Sequence, residues 1–236
     1  MEQRLSENIK GVYRRMAHAA MRAGREPDEV TLIAVSKNVS APVVRGAIEA
    51  GLRDFGENRI QEFSAKLLQL FLPAGYSLRW HLIGHLQKNK AKSAVELFDV
   101  IHSVDSLELA ERINKLAENM GKIQKILIQV KLSDEESKYG ILQEEVLNIL
   151  SATADMKNLH IDGLMTIPPF FDDPEKVRPF FRELREIRDR AGQMGFDLTE
   201  LSMGMSHDLE VAIEEGATMV RVGTAIFGER KKEEAA

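Results

Sequence analysis

Cysteine is absent from the 236 residues of this chain, which excludes disulfides, thiolate metal sites and cysteine nucleophiles. Long apolar runs are also missing, so no segment offers the roughly 20 apolar residues that a membrane-spanning helix needs. An excess of positive charge is lacking too, since 32 Lys and Arg against 37 Asp and Glu give a net charge of −5. A mildly acidic surface repels a phosphate backbone. We therefore expect neither a membrane nor a nucleic acid as partner.

The amino-terminal segment lacks the apolar core of a signal peptide, because residues 1–25 mix Glu2 and Glu7 with several arginines. We therefore expect a cytoplasmic protein. The length and the 44% hydrophobic content suit one sizeable core, so a single domain over residues 1–236 is predicted. Residues 1–29 would form an N-terminal helix and lead-in, and residues 229–236 a frayed tail.

Apolar runs rich in Val, Ile and Leu alternate with segments of helical period, which is typical of βαβ units and a parallel sheet. Helices are predicted at residues 3–24, from Asp105 or Ser106 to Gly121, and from Asp173 onward. The predicted strands are residues 30–37, 54–57, 79–84, 100–104, 125–131, 160–167, 200–204 and 219–223. Eight strands, each followed by a helix, predict a (β/α)8 TIM barrel with one extra N-terminal helix. An open doubly wound sheet is the alternative.

Lys37, at the end of the first predicted strand, is the most informative residue. The chemistry of such barrels lies where the strands run out into their following loops. Strand alternation places Lys37 on the same face as Ile33, and Arg221 on the same face as Met219. Because the first and last strands are neighbours in a closed barrel, Lys37 and Arg221 should converge at one rim.

The loops after the last two predicted strands suit a phosphate group. Gly204 and Gly223 let the backbone approach closely, and Ser206 and Thr224 add hydroxyl donors. The amine of Lys37, the guanidinium of Arg221 and these two loops match the aldehyde, the ring nitrogen and the phosphate of pyridoxal 5'-phosphate (PLP). The alternative is a solvated strand-end lysine beside ordinary helix-entry turns.

His81 and His85 have the spacing of a metal-binding pair, but four residues of extended chain span too far for one ion. With no cysteine to complete a site, we expect no metal and favour hydrogen bonding near the pocket for both histidines.

Several motifs together resemble the pyridoxal phosphate homeostasis proteins of the YggS type, within the alanine racemase N-terminal barrel family. They run in consistent order from about residue 30 to residue 228. The motifs are AVSK (34–37), FGEN (55–58), WHLIGHLQKNK (80–90), IHSVDS (101–106), EESKYG (135–140), GLMTI (163–167), LSMGMSHDLE (201–210) and MVRVGTAIFG (219–228). Asn38, Val39 and Arg59 depart from the pattern of the family.

The resemblance implies a PLP barrel of fold type III without the second, β-rich domain of alanine racemase. It implies that the cofactor forms a Schiff base with Lys37. The implied cofactor contacts are Lys37, Asn58, His85, Met203, Ser206, Arg221, Gly223 and Thr224, with Lys138 as a second, weaker docking point. The resemblance also implies that Arg221 contacts the pyridine nitrogen of PLP and that Ser206, Gly223 and Thr224 bind its phosphate.

The resemblance also implies a protein that holds PLP, delivers it to apo-enzymes and keeps amino-acid and keto-acid pools balanced, without established turnover. An arginine opposite the ring nitrogen keeps that nitrogen unprotonated, which weakens the electron sink needed for carbanion chemistry. A racemase also needs a second proton donor, and Tyr139 is the one tyrosine predicted on a rim loop. We therefore predict a monomeric, non-catalytic PLP carrier. A PLP-dependent racemase and a barrel enzyme for a small phosphorylated substrate are the alternatives.

Overall fold

Eight parallel strands close into a barrel in the computed structural model, which describes residues 2–70, 77–133, 135 and 139–229. The strands are β1 (Thr31–Val35), β2 (Asp54–Glu57), β3 (Arg79–Leu82), β4 (Val100–Val104), β5 (Gln124–Lys131), β6 (Ile141–Leu142), β7 (Leu159–Met165), β8 (Glu200–Ser202) and β9 (Met219–Val222). Their order is β4-β3-β2-β1-β9-β8-β7-β5, and the pairing of β4 with β5 closes the circle. The two-residue β6 pairs only with the end of β5. The (β/α)8 prediction is confirmed.

Helices follow the barrel strands along the chain. Those in the described residues are α1 (Glu2–Arg22), α2 (Ala41–Glu49), α3 (Ile60–Leu67), α4 (Ala91–Leu97), α5 (Leu107–Asn119), α6 (Val146–Thr153), α7 (Arg178–Gln193), α8 (Leu209–Glu214) and α9 (Thr224–Phe227). The extra N-terminal helix is therefore confirmed as α1. None of the described helices has both the length and the apolar character needed to cross a membrane.

The predicted helix boundaries depend on side chains that act as caps. The Ser106 hydroxyl accepts a hydrogen bond from the Leu109 N–H at 3.3 Å, so Ser106 rather than Asp105 caps α5. Gly121 follows α5 with a φ of +64°, a conformation that glycine adopts without steric penalty. Asp173 accepts from the Glu175 N–H and starts a 3-10 turn, Pro174–Val177, that leads into α7.

The apolar side chains form two shells. A large cluster joins the outward faces of the strands to the helices. A small separate cluster, Ile33, Leu127, Met165 and Met219, comes from β1, β5, β7 and β9 and lies inside the barrel. Since Ile33 and Met219 face inward, alternation also turns Arg221 inward, and Arg221 pairs directly with Ile33 in the β1–β9 ladder. The predicted meeting of the first and last strands is confirmed.

Candidate functional site

Lys37 lies in a tight turn and not at the end of a strand, which corrects the predicted strand of residues 30–37. β1 ends at Val35, and the Val39 N–H donates to the Ser36 carbonyl at 3.0 Å, closing a turn around Lys37 and Asn38. Asn38 has a φ of +55°, the one positive value outside glycine in the described residues. Asparagine tolerates this conformation better than most residues, so a departure from the motif suits the turn. Lys37 itself is half-buried.

A buried ion pair supports this turn from outside the barrel. The Lys66 ammonium of α3 donates to the Glu57 carboxylate of β2 at 2.5 Å and to the Ser36 carbonyl at 2.7 Å. The Ser36 hydroxyl also donates to Glu57, at 2.7 Å. The side chains of Lys66 and Glu57 are only 6% and 0% exposed. Burial raises the pKa of Glu57, and the ammonium beside it limits that rise. The ion pair therefore fixes the backbone immediately before Lys37.

Ser206 joins the loops that follow β8 and β9, here called the phosphate loops (residues 204–207 and 223–228). Its hydroxyl oxygen accepts from the N–H groups of Gly223 and Ala225, both at 3.3 Å. Its own O–H hydrogen is not engaged in the part of the chain that the structure describes, so it is available to donate. Thr224 lies between Gly223 and Ala225 in the sequence and is exposed. The free O–H of Ser206 and the hydroxyl of the exposed Thr224 form a pair of donors that suits a phosphate.

The first of the phosphate loops is held in place from two sides. Arg15 of α1 donates to the Ser206 carbonyl at 3.0 Å and forms a bidentate pair with Glu210 of α8. The Gly204 carbonyl accepts from the Arg221 N–H at 2.9 Å. Gly204 has a φ of +90°, and a Cβ at this position would lie only 2.5 Å from the Cβ of Ala212. No other residue fits here without displacing the loop.

Arg221 carries its guanidinium into the barrel, where it is 3% exposed. It donates to the Ser202 hydroxyl at 2.6 Å and to the Thr166 carbonyl at 2.8 Å. Burial lowers the pKa of Arg221 to about 10, while Asp208 acts in the opposite direction. The side chain therefore still carries its positive charge at neutral pH, at the rim where the predicted site lies.

Hydrogen bonds continue from Arg221 across the barrel through four further side chains, and we call the five residues together the polar chain. Ser202 lies 2.9 Å from Nδ1 of His102, and Nε2 of His102 lies 2.9 Å from Nδ1 of His81. Nε2 of His81 lies 3.0 Å from Asp54, which also binds Arg79 at 2.6 Å. His81, which the sequence predicted near the pocket, is therefore buried inside the barrel. No three His, Asp or Glu side chains among the described residues could hold a metal ion.

Electrostatics keep the middle of the polar chain neutral. Burial holds the pKa of His102 well below its ordinary value of 6.5, and the positive charge of Arg221 lowers it further. Burial alone would raise the pKa of Asp54, but hydrogen bonds from His81 and Arg79 outweigh that effect and leave the pKa lowered. His102 is therefore a neutral imidazole, and Asp54 is an ionised carboxylate.

The lowered pKa of His102 predicts that acid weakens the fold. Below about pH 6.5 an unfolded histidine binds a proton that folded His102 does not bind, so stability falls as the pH falls. We expect the loss to grow progressively as the pH falls below 6.5, with a slope of at most about 1.4 kcal/mol per pH unit from this residue. Urea unfolding at several pH values should show that loss in the wild type and a correspondingly flatter profile in His102→Asn. Parallel profiles in the two proteins would contradict the prediction.

His85 lies at the rim and stacks on Tyr139, with ring centroids 3.6 Å apart and an interplanar angle of 12°. Its Nδ1 lies 3.1 Å from the Asp105 carboxylate, whose pKa is raised by burial. Together with Asn58, His85 lines a pocket of about 260 Å³. Gly84 packs so tightly on Asn58 that a Cβ would come within 2.4 Å of its carbonyl oxygen. Two predicted contacts, Asn58 and His85, are thus brought together.

Of the remaining predicted contacts, Met203 lies within the described residues and Lys138 does not. Met203 is buried, and its N–H donates to the Met219 carbonyl at 3.1 Å, so it anchors the loop through its backbone. The sequence reasoning did not include Ser202 or His102, although alternation along β4 and β8 could have indicated that they face inward.

Residues 7–231 match the family model described as alanine racemase, N-terminal domain. The pyridoxal phosphate homeostasis protein of Aquifex aeolicus is 45% identical over 226 residues, which are 95% of this chain and 98% of the relative. The protein of the same name from Pseudomonas aeruginosa is 42% identical over 226 residues, 96% of each chain. The structure of PipY from Synechococcus elongatus with PLP bound superposes with a TM-score of 0.83 at 41% identity, covering 95% of this chain and 100% of that one.

Proposed function

The chain belongs to the pyridoxal phosphate homeostasis family of alanine racemase N-terminal barrels, and from that premise we propose that it binds PLP at the barrel mouth and hands it on without turnover. The observation that carries the proposal is the arrangement of the rim. The phosphate loops are joined through Ser206, and the same rim holds the buried guanidinium of Arg221. PLP carries both a phosphate for these loops and a ring nitrogen for Arg221.

The side chains fit this cofactor on their own chemistry. The free O–H of Ser206 and the exposed Thr224 hydroxyl would bind the phosphate, while the N–H groups of Gly223 and Ala225 hold the Ser206 oxygen in place. Arg221, already fixed by Ser202 and Thr166, would donate to the ring nitrogen. Lys37, in the turn that Lys66 supports, would supply the amine. When bound, PLP supplies an aldehyde that condenses with amines and a ring that withdraws electrons.

The charge on Arg221 supports a carrier over a racemase. With its pKa at about 10, the guanidinium remains a cation at neutral pH and can only donate to the ring nitrogen. The ring nitrogen is then held as an acceptor, without a proton of its own, and the electron withdrawal on which racemisation depends is weakened. PLP delivery to apo-enzymes, in a cytoplasmic monomer, is the role we propose.

Borohydride reduction followed by peptide mapping tests where the cofactor binds. We expect protein incubated with PLP to be yellow and to carry a stable label on the peptide that contains Lys37. Lys125→Ala is the matched control, because Lys125 is an exposed lysine paired with Asp162 and should leave the label unchanged. A label on another lysine of the wild type, or no label, would remove the proposed site.

Transfer to an apo-enzyme tests the carrier role separately from binding. Reactivation of a PLP-dependent apo-enzyme should be faster with the loaded protein than release of PLP into solution allows. Long incubation of the loaded protein with several L-amino acids should form no D-amino acid. Formation of D-amino acid that depends on Lys37 would favour the racemase, and colourless protein would favour an enzyme for a small phosphorylated substrate.

A further inference from the structure

The polar chain has a direction that can be derived from its two ends. At one end Arg221 can only donate, so the Ser202 oxygen accepts. At the other end the ionised Asp54 can only accept, so Nε2 of His81 carries a hydrogen. Arg79 already balances the charge of Asp54, which favours a neutral His81. A neutral His81 then presents Nδ1 as an acceptor.

The state of the middle residues follows from that acceptor. His102 must carry its hydrogen on Nε2 in order to donate to His81. Its Nδ1 is then free of hydrogen and accepts the O–H of Ser202. Every bond therefore runs the same way, from Arg221 through Ser202 and the two histidines to Asp54. Each donor and acceptor of both imidazoles is used, as a buried polar network requires.

This direction determines what Arg221 meets at Ser202. A serine hydroxyl rotates freely, and it could turn its hydrogen toward the guanidinium and weaken the contact. Because His102 takes that hydrogen, a lone pair of Ser202 faces Arg221 instead. Arg221 is then held at one nitrogen by Ser202 and at the other by the Thr166 carbonyl. Two fixed points leave the guanidinium plane little freedom to rotate.

We propose that His102 and His81 are positioning residues, which act through Ser202 to hold the Arg221 guanidinium in the orientation that meets the ring nitrogen of PLP. This inference rests on the proposed function, since it assumes that the ring nitrogen binds at Arg221. It adds to that function a second layer of residues inside the barrel that determines how tightly the cofactor is held and how its ring is polarised.

Nitrogen NMR of the unliganded wild type tests the direction of the polar chain. With ¹⁵N-labelled histidine, the spectrum reports which ring nitrogen of each of the six histidines carries hydrogen. His102→Asn and His81→Asn identify the two signals by their loss. We expect both residues to be neutral near pH 7.5, with the hydrogen on Nε2. A hydrogen on Nδ1 of His102 would overturn the inference.

PLP titrations of variants test the effect on the cofactor. His102→Leu removes the acceptor for Ser202, and we expect the dissociation constant of PLP to rise about tenfold and the absorption maximum of bound PLP to shift. His102→Asn places an amide oxygen near the position of Nδ1 and should recover most of the affinity. Leu127→Ala is the control, because it disturbs the same interior without touching the polar chain and should leave the spectrum unchanged.

The outcomes separate this inference from the function on which it rests. If the wild type binds no PLP, the proposed function fails and the inference fails with it. If the wild type binds PLP and His102→Leu binds equally well with the same spectrum, only the inference fails. If both His102 variants and Leu127→Ala lose affinity in proportion to their loss of stability, the residues serve the fold alone, and the positioning role is refuted.

Discussion

Replacing Lys66 with methionine should lower the free energy of unfolding by about 3–5 kcal/mol. The substitution keeps most of the volume of the side chain but leaves the Glu57 carboxylate buried without its cation. Glu57 Oε2 already finds no hydrogen-bond partner within the described residues, so without Lys66 the carboxylate would keep only the Ser36 hydroxyl as donor and no cation. Urea unfolding measures the loss. Labelling at Lys37 should also slow, because the Ser36 carbonyl loses its donor.

Two comparisons show whether the buried pair is the cause. Lys125→Met makes the same change at a lysine that is 56% exposed and paired with Asp162, and it should alter stability by no more than about 0.5 kcal/mol. Adding Glu57→Gln to Lys66→Met removes the stranded charge, so the double variant should be more stable than Lys66→Met. Equal losses at Lys66 and Lys125, or no recovery in the double variant, would contradict this explanation.

The barrel and the inward position of Arg221 were predictable because both follow from local pattern. Apolar runs spaced by helical segments predict the eight strands, and closure of the barrel then makes β1 and β9 neighbours. Alternation from Met219 correctly turns Arg221 inward. Each of these steps uses residues that are close in sequence or that the closed topology brings together.

The rest of the site depends on contacts that no local pattern carries. The polar chain joins β2, β3, β4, β8 and β9, and its bonds exist only at one register of these strands across the barrel. A lysine in a helix is normally on the surface, so nothing near Lys66 in the sequence indicates that it is buried against Glu57. The first strand was predicted two residues too long at Lys37, because the turn that ends it depends on the backbone of Asn38.

Gly204→Ala should damage both the fold and the site, with a loss of about 3 kcal/mol in stability and most of the affinity for PLP. The alanine would have to adopt a φ of +90° and place its Cβ 2.5 Å from that of Ala212. The strand end can relieve the contact only by moving. The Ser206 oxygen would then leave the N–H groups of Gly223 and Ala225 that hold it, and its O–H would no longer be placed to donate to the phosphate.

The same movement would reach the ring end of the site, because the Gly204 carbonyl accepts from the N–H of Arg221. Gly121→Ala separates strain from crowding: its φ is also positive, at +64°, but a Cβ there meets no atom within 4 Å. It should cost about 1 kcal/mol and leave PLP binding intact. Adding Ala212→Gly to Gly204→Ala should restore part of both losses, since the two Cβ atoms no longer meet. If Gly204→Ala binds PLP as tightly as the wild type, the loop after β8 does not position the phosphate.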